Sequence, residues 1–210
     1  MYNDQYITLF APPPLGMTHW DGDLSYLESE IKKYEFERNT SNFITTSNRL
    51  LDDPPFIDLK NFIHNFVNRY TLKIFRTRQK IDMMQSWVNI TNNGDAHPKH
   101  YHPNSYMSGV MFVKSSSDAP PLMIENHYRP LQLYVDLYDG GDPTLPPNEF
   151  SNCDKATEII EPIPGRIILF TSPTPHLVPE SSSKEERITL AFNTWPARPF
   201  GSNKDVTYVY

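Results

Sequence analysis

The side chains able to do chemistry gather in two stretches of this sequence. Three of the seven histidines, His97, His100 and His102, fall within six residues, and Pro98 and Pro103 flank the His100–His102 pair. His100 and His102 are two apart, so on an extended strand their side chains leave the same face roughly 6–7 Å apart. Two imidazoles so placed can close on one metal ion at about 2.0–2.1 Å from each nitrogen. A helical pair would need spacing three or four, and the prolines argue against a helix. His97 falls on the opposite strand face and is expected to be a turn residue or a donor behind the ligands. The second stretch begins at His176, after a strand and between Pro175 and Pro179, and continues to Glu186-Arg187-Ile-Thr189. Arg187 and Thr189 share one strand face, and a guanidinium beside a hydroxyl suits the clamping of a terminal carboxylate.

The elements that must hold these groups change character near residue 81. Before it, Tyr6–Phe10 reads as a short strand, and Leu24, Leu27, Ile31 and Tyr34 make an apolar stripe for a helix over 21–37, capped by Asp21 or Asp23. Residues 39–53 read as loop. A second helix is expected over 58–70, capped by Asp58, with Leu59, Phe62, Ile63, Phe66, Val67 and Tyr70 on its apolar face. After it the period becomes that of strands: 84–90, 106–114, 122–125, 131–137, 166–171, 176–178, 187–195 and a tail at 205–210. Two helices followed by about eight strands predict an α+β, mainly β chain, with a jelly-roll barrel from 81 to 210 and residues 1–80 packed on it as one compact domain. The long stretch 139–155, rich in Gly, Pro, Asn and Asp, reads as a surface loop of the kind that shapes binding sites.

Composition narrows the function. Among 210 residues, 27 aromatics (Phe 12, Tyr 12, Trp 3) supply core material. A net charge of −6 disfavours nucleic-acid binding. No run of 18 apolar residues exists for a membrane span. The start lacks a basic region followed by an apolar segment, which leads us to expect a cytoplasmic protein. Cys153, the single cysteine, excludes an internal disulfide and a multi-thiolate zinc site. His64 and His127 read as packing and loop residues.

The order His-x-His … Pro164-Gly165-Arg-Ile-Ile-Leu-Phe170 … His176 … Arg187-x-Thr189 resembles the iron(II)/2-oxoglutarate-dependent oxygenases. Ser86-Trp87-Val88-Asn89, His100-Tyr-His102-Pro-x-Ser105-x-x-Ser108-Gly109-Val110 and Glu186-Arg187-Ile-Thr-Leu-Ala-Phe-Asn193 are similar, more narrowly, to a subfamily of such oxygenases in marine bacteria and their phages. The likeness covers roughly residues 81–196. It implies a double-stranded β-helix, with His100 and His176 as iron ligands and Arg187, helped by Thr189, on the far carboxylate of 2-oxoglutarate. It implies a dioxygenase that hydroxylates a C–H bond with release of succinate and CO2, in the cytoplasm of a bacterium or a phage-infected host. His102 occupies the position where the family carries a carboxylate. Either it ligates, or it stands aside, or an acid such as Glu125 reaches in; ligation is favoured, because it buries no unpaired charge. Asn89 and Tyr106 are expected at the cosubstrate, and His97, Glu125, Trp87 and Asn193 around it or the substrate.

Two other classes compete. A cupin metalloenzyme without 2-oxoglutarate fits the His-x-His outline, yet residues 106 and 107 are Tyr and Met where its glutamate is expected, and it has no use for Arg187 with Thr189. A non-catalytic jelly-roll structural or binding protein would keep the fold and lose the metal. The partners expected are dioxygen, 2-oxoglutarate and a small-molecule or peptide substrate, with a homodimer allowed. Acids in 126–155 (Asp136, Asp139, Asp142, Glu149, Asp154) outnumber bases there and favour a cationic or peptide-like substrate.

Overall fold

In a computed structural model the described residues are 15–125 and 157–200. The expected strands at 6–10, 131–137 and 205–210, the 139–155 loop, His127 and Cys153 lie outside them. In chain order the elements are β1 (Gly16–His19), α1 (Leu24–Ile31), β2 (Phe36–Arg38), β3 (Phe43–Thr45), α2 (Ile57–Ile74), β4 (Ile81–Thr91), β5 (His97–His100), β6 (Met107–Lys114), β7 (Leu122–Glu125), β8 (Thr157–Ile160), β9 (Arg166–Thr171), β10 (His176–Val178) and β11 (Arg187–Pro196). Among these residues the strands form a seven-stranded sheet, β1-β9-β6-β11-β4-β3-β2, and a four-stranded sheet, β5-β10-β7-β8. Phe112, Ile168 and Phe170 from the first meet Leu122, Ile124, Ile160 and Val178 from the second in one buried cluster, so the sheets face each other. This is the double-stranded β-helix, a jelly roll.

The larger sheet has two buried faces, because its strands alternate between them. Ile188, Leu190 and Phe192 of β11, with Met107, Met111 and Val113 of β6, point towards the helices and pack on Leu27, Ile31, Ile63, Phe66 and Val67. Arg187, Thr189 and Ala191 point the other way, into the space between the sheets. Gly109 makes the first face possible. A Cβ there would stand 2.2 Å from Phe192 Cζ and 2.7 Å from the Ile168 carbonyl oxygen, so only glycine lets that ring lie across β6.

The first 80 residues differ from expectation in three places. α1 stops at Ile31, capped at its start by Asp23, whose Oδ1 accepts from Tyr26 N at 2.9 Å. Phe36–Arg38 leaves the helical pattern because it pairs with Phe43–Thr45, which in turn pairs with β4 inside the stretch expected as loop. Asp58 does not cap α2. Pro54–Phe56 forms a 3₁₀ turn that runs straight into the helix at Ile57, which leaves Asp58 in the first turn. The described part of the N-terminal segment thus gives three strands to the larger sheet as well as two helices. His64 is a packing residue: its Nε2 meets the Ile81 carbonyl oxygen at 2.7 Å and ties α2 to the start of β4.

Candidate metal and cosubstrate site

The site is built on the inner faces of β4 and β11 and closed by the histidines of the smaller sheet. In the β4–β11 ladder Arg187 is opposite Thr91, Thr189 opposite Asn89, and Ala191 opposite Trp87. All six line a narrow cavity of ≈ 40 Å³, together with His97, His100, His102, His176 and Ser108. The turn before β5 is fixed by Gly94, whose φ of +80° suits glycine and whose N–H donates to Ser181 O at 2.7 Å. Beyond it, β5 pairs with β10, and His100 comes opposite His176. The ladder ends there. His102 lies just past the strand, its N–H donating to Ser172 O at 2.9 Å.

His100, His102 and His176 each offer one ring nitrogen, and these atoms lie within 4.8 Å of one another. Nitrogens bound to one ion at about 2.1 Å are at most about 4.2 Å apart, so a small side-chain movement brings this set onto a metal. Two rings are aimed by the backbone. His100 Nδ1 lies 2.9 Å from the Pro98 carbonyl oxygen, and His176 Nδ1 lies 3.0 Å from that of Thr174. Donation to a carbonyl puts the proton on Nδ1 and leaves the Nε2 lone pair for a ligand. His102 is oriented by packing, with its ring 5.8 Å from Trp87 in a T-shaped contact. Burial pushes His176 down to about 3 and His102 to about 4, and lowers His100 as well. Neutral imidazoles are the form that binds metal. Among the described residues no carboxylate belongs to this group.

Arg187 forms the other wall. It is 2% exposed, its guanidinium lies 5.2 Å from the centre of the Phe112 ring, and its Nε has no hydrogen-bond partner. Burial pulls it down to about 10, still charged at neutral pH. A buried cation without a counter-charge is costly, and among the described residues no carboxylate pairs with it. The cavity therefore places an uncompensated positive charge beside three ring nitrogens that could hold a metal ion.

Residues 85–193 match the sequence profile of the family described as "Putative 2OG-Fe(II) oxygenase", just over half of the chain. The chain belongs to that oxygenase family. Its two cofactors, iron(II) and 2-oxoglutarate, are those expected from the sequence. Similar solved structures include an oxidoreductase of the 2OG-Fe(II) oxygenase family from Burkholderia pseudomallei, 13% identical over 85% of this chain and 84% of that one, with a TM-score of 0.58. HygX from Streptomyces hygroscopicus, solved with nickel, 2-oxoglutarate and hygromycin B, is 11% identical over 88% and 83%, with a TM-score of 0.59. A prolyl-4-hydroxylase from Pseudomonas putida is 12% identical over 88% and 92%, with a TM-score of 0.57. At such identities the likeness is one of fold. No curated protein matches the sequence.

Against this family background, several expected site residues fall elsewhere. His97 does not stand on the opposite face: its ring stacks on His100 at 4.2 Å and 15°, inside the cavity. β5 ends and its pairing with β10 shifts register between His176 and Val178, so simple alternation fails there. Tyr106 does not line the cavity; it packs on the helix side, its ring 5.7 Å from Phe75. Glu125 faces away from the cavity and pairs with Lys99 at 3.2 Å. Asn193 is buried one step beyond the cavity, accepting from Ser108 Oγ at 2.7 Å. Thr91 and Ser108 were missed. Thr91 was within reach, since it continues the alternation of Trp87 and Asn89.

Proposed function

We propose that this oxygenase holds iron(II) with His100, His102 and His176, and binds 2-oxoglutarate with its far carboxylate on Arg187 and Thr189. When bound, the metal and cosubstrate supply dioxygen activation coupled to the loss of CO2 from 2-oxoglutarate, with hydroxylation of a substrate C–H bond. The observation that carries the reading is the pairing of three neutral imidazoles with a buried guanidinium that has no counter-ion. Each chain residue then has a task. His100 and His176 present Nε2, because Pro98 and Thr174 hold their other nitrogen. Arg187 neutralises the incoming carboxylate in a site where that pairing is little screened by solvent. Thr189 and Asn89, paired across the ladder, supply hydroxyl and amide groups along the same lane. Phe112 and Phe170 keep water from the inner end.

His102 in a carboxylate's place changes the charge balance. Three neutral imidazoles leave a divalent ion at +2, and the 2-oxoglutarate dianion brings that sum to zero, where a carboxylate ligand would bring it to −1. The cavity is narrower than the cosubstrate, so binding widens it.

An anaerobic titration tests the assignment: iron(II) first, then 2-oxoglutarate, followed by calorimetry, and then succinate release on admitting air. We expect one iron per chain and 2-oxoglutarate binding that depends on Arg187. A protein that takes up no iron-group ion under reducing conditions sinks the reading.

A further inference from the structure

We propose that an open groove beside the metal cavity holds the substrate, and that the substrate is a small ring-bearing anion carrying a carboxylate or a phosphate. The groove has a volume of ≈ 740 Å³, within the range of small-molecule sites, roughly 300–1,000 Å³. Its walls include Arg49, Gln85, Asn104, Asn193, Trp195 and Arg198. This inference rests on the oxygenase reading above, since it assigns the co-reactant of the same centre.

Position supports it first. Trp87 touches His102, and it sits opposite Ala191 in the ladder. Two residues further along β4 and β11, about 7 Å, the facing pair is Gln85 and Asn193, which line the groove. Arg187 is at the other end of the same lane, so cosubstrate clamp and groove lie on opposite sides of the histidines. From the other direction, Pro103 and Asn104 follow His102 directly and form part of the groove wall. A chain of hydrogen bonds joins the two spaces. Ser172 Oγ is 2.8 Å from Ser108 Oγ, Ser108 donates to Asn193 Oδ1 at 2.7 Å, and Asn193 Nδ2 donates to Gln85 Oε1 at 3.3 Å.

Chemistry supports it next. The groove is lined by two guanidiniums and by no carboxylate among the described residues. Arg49 donates to Asp52 through Nε at 2.6 Å, whereas Arg198 pairs with no carboxylate among the described residues. Asp82 is in register with Trp195, but it opens onto a neighbouring surface hollow. A planar guanidinium recognises carboxylate and phosphate oxygens two at a time. Trp195 is 39% exposed and offers a flat apolar face on which a sugar or planar ring can lie, with the amides of Gln85, Asn104 and Asn193 for its hydroxyls. The charge is opposite to what the acids of 126–155 suggest.

Four sugars of matched size test this on the metal-free protein: glucose 6-phosphate, glucuronate, glucose and glucosamine. Binding is followed by Trp195 fluorescence, and Trp195→Phe identifies the signal. We expect the two anions to bind at least about fivefold more tightly than glucose, with glucosamine weakest. Arg198→Gln should bring charged and neutral sugars within about twofold of each other. Whichever anion binds tighter identifies the source of the charge. Equal affinities, preference for glucosamine, no binding of any of the four, or a preference that survives both Arg198→Gln and Arg49→Gln overturns the proposal. If Arg198→Gln does not fold, judged by circular dichroism, Arg49→Gln carries the comparison. Because iron is absent from this experiment, a failed groove leaves iron loading at the histidines intact, and failed iron loading leaves the groove measurement intact.

Discussion

The two sides of the seven-stranded sheet are both buried, yet they hold opposite kinds of side chain. Towards the helices, Ile188, Leu190 and Phe192 are all at 0% exposure among other apolar groups. Towards the smaller sheet, from the same strand, Arg187 at 2% and Thr189 at 3% face histidines. Burial on the first side stabilises the fold through apolar area and close packing. Burial on the second side does not: it holds a charge and several polar groups away from water and leaves Arg187 Nε unpaired. One β-strand therefore carries a stabilising face and a destabilising one. Under the proposed function, a ligand completes the groups of the second face.

Substitutions on the two sides should separate stability from binding. The largest effect is expected at the histidines: His100→Ala or His176→Ala abolishes iron binding, while His102→Ala, whose ring is held by packing, weakens it about tenfold. Anaerobic iron titrations check this, and an unchanged affinity in His102→Ala removes that residue from the ligand set. On the helix side, Leu190→Ala is expected to cost about 2–5 kcal/mol of stability, measured by urea unfolding. On the cavity side, Arg187→Met is expected to leave stability unchanged or raise it, since it removes an unpaired buried charge. The same variant should weaken 2-oxoglutarate about 100-fold, close to 2.7 kcal/mol, and barely touch iron. Should Arg187→Met destabilise the protein as much as Leu190→Ala, the contrast between the two faces collapses.

A further test lies in acid. The folded values of His176 and His102, about 3 and about 4, lie below the value near 6.5 expected when unfolded. Between those limits the unfolded chain takes up protons that the folded one refuses, so stability of the metal-free protein falls as pH is lowered through that window. Above about pH 6.5 these groups contribute no slope. Urea midpoints from pH 7 to pH 4 should show the fall, and a His102→Gln, His176→Gln double variant should flatten it. An equal slope in the double variant would assign the effect to other groups.

Much of this was legible in the sequence wherever a short-range rule held. The strand pattern through 84–90 and 187–195 matches β4 and β11, and alternation puts Arg187 and Thr189 on one face, while Trp87 and Asn89 came with the family resemblance. Where partners far along the chain overrode the local pattern, the reading failed. Phe36–Arg38 follows a helical stripe but joins a sheet through Phe43–Thr45, and Pro54–Phe56 displaces Asp58 from its cap. His97 was misassigned by alternation because β5 ends and slips register within four residues. Tyr106 is expected at the cosubstrate from the sequence, and only the position of α2 and its end sends the ring to Phe75.

The sequence by itself determined the donor types and the family: a two-apart histidine pair, a later histidine and an Arg-x-Thr strand, because ligand chemistry and strand period are local properties. Tertiary structure decided which groups meet. It brought His176 opposite His100, excluded Glu125 by turning it towards Lys99, and stacked His97 on the cluster. It also left Arg187 buried with no counter-charge among the described residues, which depends on what the other strands bring near. The reason is that pairing register between distant strands is fixed by the burial of both faces at once, which no stretch of sequence contains.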